Sequence, residues 1–409
     1  MEDNDAVTRS RMRLALLLNS IGDGGYYVSA VVVFHQLLGM SVGQIGLALT
    51  LAWTAGFGMT APLGRVADRW GLRPTAVALC LATAGATLAV LWARDFAAFV
   101  GILVAYGVAQ SGLHAVRQAM VATLVPGPER TRFRARLQTV GNAGIGAGAL
   151  VGGIALAVAT PAAYAAVLVL DAAGFVAAAV VTARIPVRPT GIRVPEPGRR
   201  SAWRDRPYVA VAGLSAVLCL YMPMLSVVLP LFVVQRTSAP GPVVAAAFAV
   251  NTIGVIALQL RAGRRVDGMP AAARSVRAGG ALLAASCAVF ALAAVPAVPA
   301  TAALVVLAGA AVQVVGEVLF AAGNWELGFG LADPRRPGAW QGVYGTGIPV
   351  ARAVGPLLLS FLVVDWRGPG WLVVAALLLA AALAVPPTAG WAARTRPVTA
   401  RPLVASPAH

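Results

Sequence analysis

Lysine is absent: all 32 basic residues are arginines. Without a lysine no Gly-Lys-Ser/Thr loop can cradle a nucleotide phosphate, which excludes an ATP-driven pump within this chain. Histidine and cysteine are scarce, three of each. Cys80, Cys219 and Cys287 lack metal-ligand spacing and read as small buried apolar residues, so no disulfide, metal or cofactor is expected. Acids are few as well: 15 Asp and Glu leave a formal net charge of +17, yet only 11% of the chain is charged. A soluble domain carries about a quarter. Here 59% of residues are hydrophobic, a composition suited to lipid.

A bilayer core of about 30 Å takes about 20 apolar residues per helix. Twelve stretches of that order occur, at 14–38, 42–63, 74–92, 96–121, 137–159, 162–183, 209–234, 243–260, 279–295, 300–320, 343–364 and 370–391. They are continuously apolar and rich in Ala and Leu, whereas the strands of a membrane barrel alternate over about ten residues. The fold expected is therefore an all-α membrane protein. A large positive charge raises nucleic acid as a partner, but that needs a contiguous basic face. These arginines are scattered over short loops, and no nucleic acid is expected. With the amino terminus taken as cytoplasmic, only Arg94, Arg236 and Arg367 fall outside, and Arg117 and Arg352 fall within spans. Every other arginine lies inside, the positive-inside asymmetry of a protein with both termini in the cytoplasm. The first residues balance Glu2, Asp3 and Asp5 against Arg9, Arg11 and Arg13. The run after them is too long for a cleaved signal and is expected to remain as the first span.

The longest polar interval of the interior, 184–206, holds Pro186, Pro189, Pro195, Pro197 and Gly198 among its arginines, a composition that disfavours regular structure. It predicts an amino-terminal six-helix bundle at 1–183, a cytoplasmic loop at 184–206, and a second six-helix bundle with a short tail at 207–409. The halves repeat weakly. Gly64-Arg65-Val66-Ala67-Asp68 returns as Gly263-Arg264-Arg265-Val266-Asp267 at the end of the second span of each half. Gly148-Ala149 is matched by Gly355-Pro356 in the fifth.

The run continuing from Gly64 through Asp68 and Arg69 to Gly71 and Arg73 is similar to the loop motif Gly-x-x-x-Asp-Arg-x-Gly-Arg-Arg between spans 2 and 3 of the major facilitator superfamily. At these residues the chain resembles that family, from first span to last. The resemblance implies twelve helices in two pseudo-symmetric bundles that alternate access to a central cavity. It also implies that Gly64, Asp68, Arg69 and Arg73 latch one conformation on the cytoplasmic side. The second copy keeps Gly263, Arg264 and Asp267 but runs into Gly268-Met269-Pro270, so a weaker latch is expected there. Span 5, with Gly144, Gly148 and the pair Gly152-Gly153, looks like the antiporter motif of the family's drug/proton exporters, Ala149 standing where that motif has proline. Small residues at such spacing also let helices pack closely.

Ionisable residues inside a membrane cost roughly 2.5 to 3.5 kcal/mol at the bilayer centre, which marks them as functional candidates. Asp23 lies ~14 Å along a helix from Leu14, near the midplane. Arg117 in span 4 and Glu317 in span 10 occupy corresponding depths in the two halves. In the family spans 1, 4, 7 and 10 line the cavity, so the resemblance brings Asp23, Arg117 and Glu317 to one aqueous space, where a carboxylate of shifted pKa takes up and releases a proton. Arg117 also resembles, loosely, the Arg of a span-4 motif of proton-coupled exporters. Tyr26, Tyr27, Tyr221 and Phe320 are candidates for a stackable pocket, with Trp53, Tyr106 and Trp325 as further aromatics. Asp171 is expected to make a structural hydrogen bond. For Asn324 and Glu326 a solvated helix end and a site stand level, and Arg352 is expected to meet the other bundle on the cytoplasmic side. His35 and His114 read as satisfied polar residues.

The expectation is a secondary transporter of the cytoplasmic membrane, not an enzyme. Its partners are a small-molecule substrate, protons and the lipid bilayer, and it works as a monomer. The favoured activity is proton-coupled efflux of small lipophilic compounds. An uptake or facilitative carrier for a polar metabolite, which calls for more Asn and Gln in the spans, and a non-transporting sensor on the same fold remain as alternatives.

Overall fold

The computed structural model describes residues 2–125, 129–186, 201–366 and 369–395, so residues 187–200 of the expected central loop lie outside the described residues. The described chain is helical throughout, in twelve successive segments. They are α1 (Glu2–Leu38), α2 (Val42–Trp70), α3 (Leu72–Ala89), α4 (Phe96–Leu124), α5 (Arg130–Val158) and α6 (Pro161–Ala183). The second half has α7 (Arg206–Leu218, resuming at Leu229–Arg236), α8 (Val243–Arg265), α9 (Gly268–Leu292), α10 (Pro299–Gly330), α11 (Pro337–Tyr344 and Gly347–Ser360) and α12 (Pro369–Arg394). From α2 to α12, 11 helices are long and apolar enough to cross a membrane. α1, which carries Asn19, Ser20 and Asp23 at its middle, is not among them and keeps its place by packing on α5 and α6.

Each half has its own interior. Phe34, Phe99, Leu113 and Phe175 are fully buried in the first, Tyr208, Phe290 and Trp371 in the second. The halves meet along α2 with α11, α4 with α11, and α5 with α8 and α10. Phe329 of α10 enters the first half's core.

Turn chemistry explains the helix ends. Ser41 caps α2 with a reciprocal Gln44 contact, and Asp95 and Thr160 cap α4 and α6, each oxygen satisfying an otherwise orphaned backbone N–H. Between α2 and α3 the chain turns through Gly71 at φ 100°, a conformation open in practice to glycine alone.

Two close approaches set the architecture around the candidate site. On α5 the glycines at 144, 148 and 152 face α1, where a methyl at Gly148 would collide with the Ile21 carbonyl and one at Gly152 would lie 2.7 Å from that of Gly25. Gly153 lies off this stripe: added bulk there meets nothing within 4 Å, so it takes no part in the packing expected of it. In the second half Gly355, followed by the in-helix Pro356, abuts the Pro223 ring of α7. The pairing of α11 with α7 thus mirrors that of α5 with α1. Between its two α-helical pieces α7 passes Tyr221–Pro223 and widens into a π turn at Met224–Val228, the kind of irregularity that gathers at functional sites.

Candidate functional site

In the first half the site is built on α1 and α4. Asp23 is buried, and both its oxygens are occupied by neutral amides. Asn19 Nδ2, one turn earlier, donates to Oδ2 at 2.8 Å, and Gln110 Nε2 donates to Oδ1 at 3.1 Å. Arg117 does not reach the carboxylate; its Nη2 donates to Asn19 Oδ1 at 2.7 Å. Asn19 therefore stands between the two charges and connects them. Gln110 also donates to the Tyr106 hydroxyl, and the Tyr26 ring stacks on Tyr106 with centroids 5.2 Å apart. Tyr26 is buried with its hydroxyl unpartnered, while the adjacent Tyr27 is 43% exposed. Of these two pocket candidates only Tyr27 presents a surface to a ligand.

Glu317 forms a separate cluster in the second half. It accepts from Asn251 Nδ2 at 2.7 Å and, at the long limit, from the Tyr221 hydroxyl at 3.5 Å. Tyr221 meets Phe320 edge to face at 5.9 Å. Among the described residues no contact joins Glu317 to Asp23 or Arg117. What reaches the first half's carboxylate region from the second half is Arg352, whose guanidinium lies over the Trp53 ring at 4.4 Å and near the Tyr27 ring at 5.7 Å. It meets the other bundle as expected, but ~22 Å along the helix from Pro337 and so near mid-span.

At the end that carries the 64–73 loop the two halves approach backbone to backbone, Gly64 against Gly338. Pro337 begins α11 and has no N–H to bond, while Arg336, in the cap position, offers no side-chain acceptor. Asp68 of α2 supplies the cap instead, accepting from Gly338 N at 2.7 Å and Ala339 N at 2.8 Å. A carboxylate there satisfies two orphaned donors and the positive end of the helix dipole. Gly64 makes this possible, because a methyl would collide with the Gly338 carbonyl. Arg73 donates to the Ile185 carbonyl at 3.1 Å within the first half, and Arg69 is exposed and makes no hydrogen bond or ion pair among the described residues.

The second copy of the motif behaves differently. Gly263 packs on Ala135 of α5, but Arg264 and Asp267 are exposed, and Asp267 makes no hydrogen bond among the described residues. The contact to the start of α5 is made by Glu326, which accepts from the Thr131 hydroxyl. Where the Arg-x-Gly continuation is lost, Asp267 makes no side-chain cap among the described residues.

Asp68→Ala is expected to weaken closure at this end by about 2 kcal/mol, or about thirty-fold in the closed-to-open ratio, from two charge-assisted bonds lost. Distance distributions between spin labels on α2 and α11 measure this, and an unchanged distribution would deny Asp68 the latch.

Other polar residues take structural places. Thr87 donates to Asp171 Oδ2 at 3.0 Å, as the sequence predicts, but Oδ1 is buried without a partner. Asn324 is not a solvated end: it accepts from the Ser215 and Tyr344 hydroxyls at 2.7 Å each. His35 Nδ1 lies 2.8 Å from the Met40 carbonyl. The cysteines are free and buried. Sequence reasoning passed over Asn19, Gln110 and Asn251, and it counted Arg134 as a loop charge. Helical spacing carried a signal for the first two, since Asn19 stands one turn from Asp23 and Gln110 two turns from Arg117.

Curated protein sequences give no match. Among solved structures the chain is similar to a bacterial homologue of the iron transporter ferroportin in an outward-facing state, with a TM-score of 0.75, 16% identity, and 95% of this chain and 99% of that one covered. It is also similar to the human organic anion transporter MFSD10, with a TM-score of 0.66, 16% identity and coverage of 93% and 99%. The proton:xylose symporter XylE matches with a TM-score of 0.70, 12% identity and coverage of 93% and 95%. At such identities the likeness is one of fold. The family model for the Major Facilitator Superfamily matches residues 13–324. Twelve helices in two facing halves, the capped seam at Asp68 and that match together make this chain a transporter that belongs to the Major Facilitator Superfamily.

Proposed function

We propose that the chain exports small lipophilic compounds across the cytoplasmic membrane in exchange for protons, with the Asp68 end facing the cytoplasm. The observation that carries this reading is the setting of Asp23. A carboxylate at mid-membrane, held by two neutral amides and one residue removed from Arg117, is not locked in an ion pair. Gaining a proton therefore changes its contacts without breaking a buried salt bridge. In the conformation described, the inter-half contacts run from the Asp68 cap up to Arg352 over Trp53, which closes the cytoplasmic end. A proton arriving from outside neutralises Asp23 and removes its attraction for Arg117 and for Arg352 across the seam. The halves then rock, the Asp68 cap parts, and release of the proton inside accompanies loading of substrate. Tyr27 and Tyr221 offer the aromatic faces that a lipophilic compound needs, whereas Phe320, at 3% exposure, is packed in the core behind Tyr221 and presents no surface to a ligand.

The test is proton flux into proteoliposomes upon addition of a panel of lipophilic compounds. Wild-type protein is expected to move protons only with a transported compound present; flux that no compound alters would refute exchange. In the same assay Glu317→Gln is expected to slow exchange about tenfold, since hydrogen bonds to a charged acceptor weaken to neutral ones. Turnover equal to wild type would remove Glu317 from the coupling.

A further inference from the structure

Two guanidinium groups, those of Arg134 and Arg352, meet the other half across the seam, a third, Arg117, lies inside the first half, and among the described residues none of the three is paired with a carboxylate. Arg117 is held by the Asn19 amide oxygen. Arg352 rests on the Trp53 and Tyr27 rings. Arg134 donates to Gln118 Oε1 at 3.1 Å and Gln138 Oε1 at 3.4 Å, and the Trp325 ring lies 4.7 Å from its guanidinium carbon. The ion pair recorded among the described residues, Arg9 with Glu129, lies elsewhere. Glu326, the acid next to Trp325, is turned to Thr131 rather than to Arg134. Amide oxygens and ring faces satisfy donors but do not neutralise charge, and an unneutralised cation in a low-dielectric seam is costly. Asp23 offsets Arg117 through Asn19. Among the described residues no carboxylate offsets Arg134.

A cavity of about 90 Å³ adjoins this charge, with Arg134, Arg117, His114 and Gln118 on its polar side and Leu16 and Met120 on its apolar side. Among the described residues no carboxylate lines it. That volume holds about three waters, or one compact acidic head group. Arg134 belongs to the first half and the ring that covers it to the second, so parting of the halves at the Asp68 end withdraws Trp325 and uncovers the guanidinium on that side.

We infer that Arg134, with Arg117, binds the acidic group of an amphipathic organic anion, whose apolar or aromatic body takes the place vacated by Trp325. This deepens the export reading and rests on it: the lipophilic compound carried outward is an anion. Arg suits the task, since its planar fork matches carboxylate or sulfonate in two-point contact while its face accepts an aromatic ring.

The experiment measures equilibrium binding of three probes of one shape, 1-naphthalenesulfonate, 1-naphthalenemethanol and 1-naphthylmethylammonium, to the full chain in detergent. Wild type is expected to bind the sulfonate at least about tenfold more tightly than the ammonium. Arg134→Gln is expected to lose about tenfold in sulfonate affinity and keep its affinity for the alcohol, which also certifies its fold, while Arg134→Lys recovers part of the loss. Trp325→Ala, which removes the covering ring, is expected to bind the sulfonate more tightly than wild type. Equal or tighter binding of the ammonium, no binding of any probe, or full sulfonate affinity in Arg134→Gln would overturn the proposal. Should Arg134→Gln lose all three probes, Trp325→Ala decides, and unchanged or weaker sulfonate binding there overturns it. If short-chain phosphatidylglycerol binds and the sulfonate does not, the cations serve a lipid head group and the proposal fails. Proton flux is measured on the same preparations. Sulfonate binding without coupled flux leaves the site standing and removes export, whereas coupled flux with a cation or neutral compound alone does the reverse.

Discussion

Asp23→Asn is expected to reduce proton-driven exchange to the background of empty vesicles while leaving a folded, monodisperse protein. The substitution keeps the shape of the side chain and removes the group that can carry the proton. Its cost to the fold is bounded. Asn19 Nδ2 and Gln110 Nε2 both donate to the carboxylate, and an Asn at position 23 accepts from only one of them. One donor is left unsatisfied, at about 1 to 3 kcal/mol, a loss that a twelve-helix core survives. Pyranine fluorescence inside proteoliposomes reads the flux, and gel filtration with a thermal melt reads the fold. Full exchange in a well-folded Asp23→Asn protein would eliminate the carboxylate as carrier and the coupling scheme with it. Substrate counterflow, which needs no proton gradient, is expected to persist, because the halves and the aromatic faces are untouched.

Gly148→Val is expected to have the largest effect on the fold. The α-carbon of Gly148 sits against the backbone of α1 at Ile21, so the added atoms meet main chain on the far side rather than a side chain that can swing away. Overpacking a core costs about 1 to 3 kcal/mol when neighbours relax; with rigid helices on both sides the cost exceeds that range. Separating α1 from α5 also moves Asn19 and Asp23, so any protein that folds is expected to lose exchange. Gly153→Val on the same helix supplies the control, since its added atoms enter open space, and its melting temperature is expected to match wild type within a few degrees. Equal behaviour of the two variants would show that the stripe is not a packing surface.

Much of the architecture was legible because a span is a property of composition. Twenty apolar residues announce themselves, and arginines lie where lipid and translocation tolerate them. The loop motif was legible for a related reason: Gly64 and Asp68 stand within one helix, and their partner, the bare start of α11, needs no particular side chain. Pairings across the seam were not legible. Asp267 carries the same signature as Asp68, yet three altered residues after it leave it in solvent, while Glu326, which bears no motif, reaches Thr131. Arg134 was hidden by the rule on which the expected topology rests, because a loop-end arginine satisfies the positive-inside bias whether it faces water or the other half. Asp23 and Glu317 were expected in one space, and depth along a helix supports that expectation, but depth does not fix rotation about the helix axis. The direct inter-half contact near Asp23 comes from Arg352 instead.

The three native thiols are all sealed within the helix packing, and Cys80 lies 4.0 Å from Arg117. Membrane-impermeant maleimides should therefore pass over the unaltered chain. A single new thiol at an exposed position such as Asp267 or Tyr27 would then report, by which reagent reaches it and from which face of the vesicle, the conformation the transporter occupies, with no need to strip its own sulfur first.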